Sequence, residues 1–82
     1  MTPRDDSAHL AARAALRERC PKPGTFWRHR KGGLYLVADG AVIEATLTPV
    51  VIYMHRSAVD ELLIRPLEEF LERFEPYTGD SV

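Results

Sequence analysis

A second cysteine is missing from this 82-residue chain. Cys20 alone can form no internal disulfide, no CxxC redox pair and no cysteine-based zinc site, and a solitary thiol suits a reducing cytoplasm. Long hydrophobic runs are missing too: nothing approaches the roughly 20 apolar residues that carry a helix across a bilayer. Arg4, Asp5, Asp6, His9 and Arg13 break up the apolar run that a secretory leader requires. Cytoplasmic residence without a membrane partner is the expectation. An excess of charge of one sign is also lacking. Eleven Lys or Arg against twelve Asp or Glu leave a formal charge of -1, so no whole-protein field draws the chain to nucleic acid or an anionic membrane. The three histidines, His9, His29 and His55, lie far apart, with no HExxH pair, so neither metal nor cofactor is expected.

What is present is a globular balance, 45% hydrophobic and 28% charged, which separates the chain from disordered sequences. Its length fits one core, and a domain of this size buries only roughly 60% of the surface its unfolded chain exposes. The charges are segregated. Lys22, Arg28, Arg30 and Lys31 fall in a stretch without an acid, whereas Glu68, Glu69, Glu72 and Glu75 are interrupted only by Arg73 among charged residues. A local basic patch can therefore exist on a nearly neutral protein.

Ser7 is placed to cap a helix running to about Arg19, with Asp5 and Asp6 near the positive end of its dipole and Pro21 and Pro23 bringing it to a close. Its apolar face is thin, since Leu10 and Leu16 are its large aliphatics, so docking depends mostly on alanines. Pro23-Gly24 reads as a turn into the main domain, followed by a strand over residues 25–30 and a hairpin turn at Lys31-Gly32-Gly33. The next strand starts at Leu34. Alternation puts Tyr35 and Val37 on one face and Leu34 and Leu36 on the other, and both faces are apolar. One packs in the core, and the other needs a cover from the N-terminal helix or a second chain.

Asp39-Gly40 marks a bulge in a strand that continues through Thr46. Thr48-Pro49 opens a central strand to His55, a polar loop follows, and a shorter strand spans Glu61 to Arg65. Pro66 opens a helical turn in which Leu67, Phe70 and Leu71 recur at helical spacing, and residues 73–75 return as an edge strand. The expected fold is mainly β: a small SH3-like barrel or curved antiparallel sheet of four to five strands, with an N-terminal helix and a short helical turn near residues 66–71. The expected organisation is a helical extension over residues 1–22, the β domain over 23–77 and a mobile tail over 78–82.

The pattern Gly24-x-x-Trp27-Arg28-His29-x-Lys31-Gly32-x-x-Tyr35-x-Val37, with Tyr53 and then Ile64-Arg65-Pro66-Leu67-Glu68-x-Phe70, resembles the bacterial domain of unknown function 1653 over approximately residues 24–74. The resemblance implies a compact SH3-like β structure and carries no established reaction. This chain has Trp27 where that family usually has Tyr, Gly33 where Asn is common, and Leu63 where Trp is usual. It keeps one of two aromatic positions and lacks the other.

The sharpest candidate binding residues are Trp27, Arg28, His29 and Lys31, joined by Arg65. A Trp beside cations can stack on a base, receive a partner's cation or anchor a peptide, while the cations contact phosphate or carboxylate. Strand alternation limits this set, because Trp27 and His29 face one way and Arg28 the other. The competing structural roles are equally concrete: Trp27 at the core margin, His29 in a local hydrogen bond, and Arg65 tying its strand to the next turn through Glu61, Glu68 or Glu69. Catalysis has little support. Cys20 lacks an activating partner, Ser7 and Ser57 lack a base, Gly32-Gly33 is too short for a phosphate loop, and His55-Arg56 beside Asp60 and Glu61 reads as a polar loop.

The function expected is that of a noncatalytic protein-binding or adaptor module engaging a protein or peptide. One alternative is a single-stranded RNA or other nucleic-acid binder, stacking on Trp27 with Arg28, Arg30 and Lys31 on the backbone. The other is a homodimeric structural domain that self-associates through Leu34 and Leu36.

Overall fold

The computed structural model describes residues 6–78. Helix α1 spans Asp6–Arg19, and strands β1 (Phe26–His29), β2 (Leu34–Ile43), β3 (Thr48–His55) and β4 (Ala58–Pro66) follow; helix α2 (Leu67–Arg73) then leads into β5 (Phe74–Pro76). The five strands form one antiparallel sheet in the order β4-β3-β2-β1-β5. Register shifts between Val37 and Asp39 in β2, and between Tyr53 and His55 in β3, break the regular ladder and favour bending. The result is a mainly β fold in a curved sheet. β4 and β5 stand at opposite ends of the strand order, yet α2 joins them directly, and the Arg65 guanidinium of β4 lies 5.5 Å from the Phe74 ring centroid of β5.

Several boundaries differ from those read in the sequence. α1 already includes Asp6, so Ser7, expected just before the helix, lies within its range; the residues before Asp6 are outside the described range, as is most of the expected tail, 79–82. β1 is shorter than residues 25–30: the Thr25 carbonyl still accepts the Val37 N–H of β2 at 2.9 Å, but other groups at both ends bond outside the β1–β2 ladder. The Thr25 hydroxyl donates to the Lys22 carbonyl across 2.6 Å, and the Arg30 N–H donates to the Arg73 carbonyl across 3.0 Å. The polar loop after His55 is instead a tight hairpin at Arg56-Ser57, which lets β4 start at Ala58 rather than Glu61. Pro66 stays in β4 opposite Val50, tolerated on an edge strand, and the helix that follows reaches Arg73.

The turn between β1 and β2 needs glycine. Gly32 and Gly33 have φ of 107° and 94°, conformations that L side chains rarely adopt, and the His29 N–H closes the turn onto the Gly33 carbonyl at 3.1 Å.

The core consists of Val37, Val51, Tyr53, Leu67, Phe70 and Phe74. Leu67 and Phe70, three apart on α2, are completely buried, and the Phe70 ring stacks on Phe74 with centroids 4.1 Å apart and planes at 5°. α1 packs on this cluster through Ala15 and Leu16, with Cys20 just past its end, while Leu10 is 59% exposed and adds little. The helix can approach because residue 40 is glycine: a β-carbon there would stand 2.8 Å from the Cys20 sulfur. A bidentate pair between Arg19 and Glu68, one arm of it 2.9 Å, ties α1 to α2. α1 therefore lies on the Val37 face of β2. Leu34 and Leu36 lie on the other face, half-buried, with Phe26, Leu36 and Met54 in register across β1, β2 and β3.

Candidate binding cleft

All five strands contribute to a cleft of about 490 Å³ where the two ends of the curved sheet approach each other. Its lining is His29 of β1, Lys31 and Gly32 of the turn, Tyr35 of β2, Tyr53 of β3, Leu63, Ile64 and Arg65 of β4, and Phe74 of β5. Alternation places Tyr35 and Val37 on the inner face of β2, so the same pattern that builds the core also brings Tyr35 to the cleft. The rings form an edge-to-face cluster. Tyr35 meets Tyr53 at 5.6 Å, Phe74 at 5.3 Å and His55 at 5.0 Å between centroids, and His29 meets Phe74 at 4.8 Å. Such contacts hold each ring in one orientation.

Arg65 is fixed within the cleft. Its Nε–H donates to the Tyr53 hydroxyl at 3.2 Å and its Nη1 reaches Glu69 at 3.3 Å, with Nη2 outside both bonds. His29 is fixed by its neighbour: its Nδ1 accepts the Lys31 backbone N–H at 3.0 Å, which places the neutral ring's proton on Nε2. Burial holds the His29 pKa below the usual histidine range, and the positive charges of Arg65, Lys31 and Arg73 push it the same way.

Of the five residues singled out in the sequence, His29, Lys31 and Arg65 meet in this cleft. Trp27 and Arg28 do not line it. Trp27 lies edge-on to Phe70 at 5.5 Å and donates its indole N–H to the Thr25 hydroxyl at 3.1 Å. Arg28 points to the opposite face and pairs with Glu75 on the neighbouring β5 at 2.8 Å. Tyr35, Tyr53, Leu63, Ile64 and Phe74 were not legible as cleft residues, although Tyr35, Tyr53 and Ile64 stand in the spaced pattern that suggested a family.

A family model described as protein of unknown function (DUF1653) matches residues 25–79. The chain belongs to this family. No curated protein and no solved structure matches it. In this DUF1653 domain, seven residues of the spaced motif line one cavity: His29, Lys31, Gly32, Tyr35, Tyr53, Ile64 and Arg65. Motif residues separated by as much as the β1–β4 interval thus converge on the cleft, while Val37, Leu67 and Phe70 of the same motif are buried in the core beneath the sheet.

Among the described residues no group of three His, Cys, Asp or Glu side chains is arranged to hold a metal ion. Nor is any described helix long and apolar enough to cross a membrane.

Proposed function

We propose that this domain is a noncatalytic binding module that takes up an extended protein segment along the β4 edge, with a side chain seated in the aromatic cleft. The observation that carries the reading is the cleft itself. Its volume of about 490 Å³ falls in the range of about 300–1,000 Å³ typical of ligand sites, and it opens beside a strand that ends the sheet. An edge strand offers unpaired backbone groups to an incoming chain, and a pocket beside it selects one of that chain's alternate side chains. Leu62 and Ile64 of β4 are 61% and 63% exposed, an apolar edge of the kind such a segment covers.

The geometry lends less to a nucleic-acid reading, because Trp27 packs against Phe70 and Arg28 is paired with Glu75. Selection from a displayed library of random peptides tests the module. Selected peptides should bind the full chain with a shared sequence feature, and Ile64→Lys, a change at an exposed position, should weaken them at least tenfold. A library that yields no binder, or binders indifferent to Ile64→Lys, sinks the reading.

A further inference from the structure

The lining of the cleft is uneven in charge. Tyr35, Leu63 and Ile64 supply apolar surface, whereas Lys31 and Arg65 supply two cations. The charges that push the His29 pKa down are the positive ones of Arg65, Lys31 and Arg73. Lys31 is exposed and forms no ion pair among the described residues. Glu69 engages one terminal nitrogen of Arg65 at 3.3 Å, a loose partner on a half-exposed side chain, and the other terminal nitrogen is outside that bond. An aromatic cleft holding an unpaired ammonium and a guanidinium already oriented by Tyr53 suits a compact anion carried next to an apolar group.

Building on the peptide-binding reading above, we propose that the cleft receives a carboxylate of the bound segment, between the Lys31 ammonium and the Arg65 guanidinium, with the segment's adjoining apolar group against Tyr35. The carboxylate comes from an Asp or Glu side chain or from the segment's C-terminus. A nucleic-acid strand fits less well. It brings a charge at every nucleotide, and the chain that follows Arg65 carries Glu68, Glu69, Glu72 and Glu75. A single carboxylate meets the two cations without running along that acidic stretch.

Amide nitrogen-proton correlation spectra of the full chain, titrated with four probes, test this. The probes are N-acetylphenylalanine, its carboxamide, N-acetylglutamate α-methylamide and decathymidylate. Saturable shifts at His29, Lys31, Gly32 and Arg65 are expected with the two carboxylates and not with the carboxamide. Tighter binding of N-acetylphenylalanine assigns the C-terminal source, and tighter binding of the glutamate derivative assigns the side chain. Lys31→Gln should weaken both about tenfold, the loss of one charge-assisted hydrogen bond. Its unpaired, exposed position spares the fold, which thermal melting of the variant confirms.

No saturable shift with either acid overturns the proposal, as do equal shifts with the carboxamide or native affinity in Lys31→Gln. Tighter, salt-sensitive binding of decathymidylate at the same amides overturns it in favour of nucleic acid. The two readings fail separately. Displayed peptides selected without any carboxylate preference overturn the carboxylate site and leave the module standing; carboxylate binding without any selected peptide does the reverse.

Discussion

The Nε–H of Arg65 donates to the hydroxyl of Tyr53 across 3.2 Å, joining β4 to the strand beside it at the mouth of the cleft. The same guanidinium reaches Glu69 four residues on and lies 5.5 Å from the centroid of Phe74, so one side chain links two strands, a helix and the final strand. Arg65→Met keeps the apolar stem and removes these polar contacts. A net hydrogen bond contributes about 1 kcal/mol and a surface i,i+4 pair about 0.3–0.5 kcal/mol, so the expected loss is about 1–2 kcal/mol. In a domain of this size that lowers Tm by roughly 4–8 °C per kcal/mol. Tyr53→Phe, which removes only the hydroxyl, should fall by less. Unchanged melting in Arg65→Met would show that the contacts do not stabilise the fold.

His29 sets a pH dependence of known sign. Its folded pKa lies below the ordinary value, first through burial and then through Arg65, Lys31 and Arg73. The unfolded chain therefore binds the proton more readily than the folded one. Stability is complete above the ordinary histidine value of about 6.5 and declines as pH falls through that value towards the lower folded one. Full protonation would also replace the Nδ1 acceptor that holds the Lys31 N–H. Melting curves between neutral and mildly acid pH should show a Tm decrease that is smaller in His29→Asn, whose side-chain oxygen keeps an acceptor near that N–H. A proton titration that places His29 above the ordinary histidine value of about 6.5 would contradict the electrostatic account.

How much of this was legible in the sequence depended on whether a residue's role was set locally. Thr48–His55 was recognisable end to end because its near-continuous apolar content has one explanation, a strand covered on much of both sides, and the adjacent Val50 and Val51, which face opposite ways, are both buried. The glycine pair of the first hairpin was equally plain, since a positive φ leaves few residues to choose from. The cleft was only half legible. Lys31, His29 and Arg65 stood out by charge and spacing, but which cations share a cavity depends on how far the sheet curls, and the two register shifts that bend it leave little mark on composition. Trp27 attracted attention as a recognition residue because it is a single indole beside cations. Its contact with Phe70 joins β1 to α2, elements far apart in sequence, which no local pattern reports.

Leu47 offers a test of stored backbone strain. It is the one non-glycine among the described residues with a positive φ, 58°, and its N–H donates to the Ile43 carbonyl at 2.7 Å to close the turn between β2 and β3. A left-handed conformation costs an ordinary L residue about 1–2 kcal/mol, and Asn tolerates it better. Leu47→Asn gives up some half-buried apolar surface. The expected net effect is a stabilisation of about 0.5 kcal/mol, the strain relieved exceeding the surface lost. Chemical denaturation should show a higher midpoint at unchanged slope. A lower midpoint would mean that the Leu47 side chain contributes more by packing than its backbone costs.

The docking of α1 depends on the absence of a β-carbon at residue 40. Such an atom would stand 2.8 Å from the Cys20 sulfur and 3.1 Å from a Leu16 methyl, and both of those residues belong to the helix's contact with the core. Gly40→Ala therefore forces the helix outward, an overpacking cost of about 1–3 kcal/mol. Cys20 reports the movement directly. Its thiol is half-buried, donates to the Pro21 carbonyl at 3.3 Å, and has its pKa raised first by burial and then by the charge of Asp39, so it reacts slowly with alkylating agents while α1 is docked. In Gly40→Ala the alkylation rate should rise and Tm should fall together. Adding Cys20→Ala to Gly40→Ala removes the closest clash, so the double variant should recover part of the lost stability, giving a coupling of the kind that contacting residues show. Strict additivity of the two changes would mean that α1 accommodates the extra carbon by moving as a whole, with Leu16 rather than Cys20 setting its distance from the sheet.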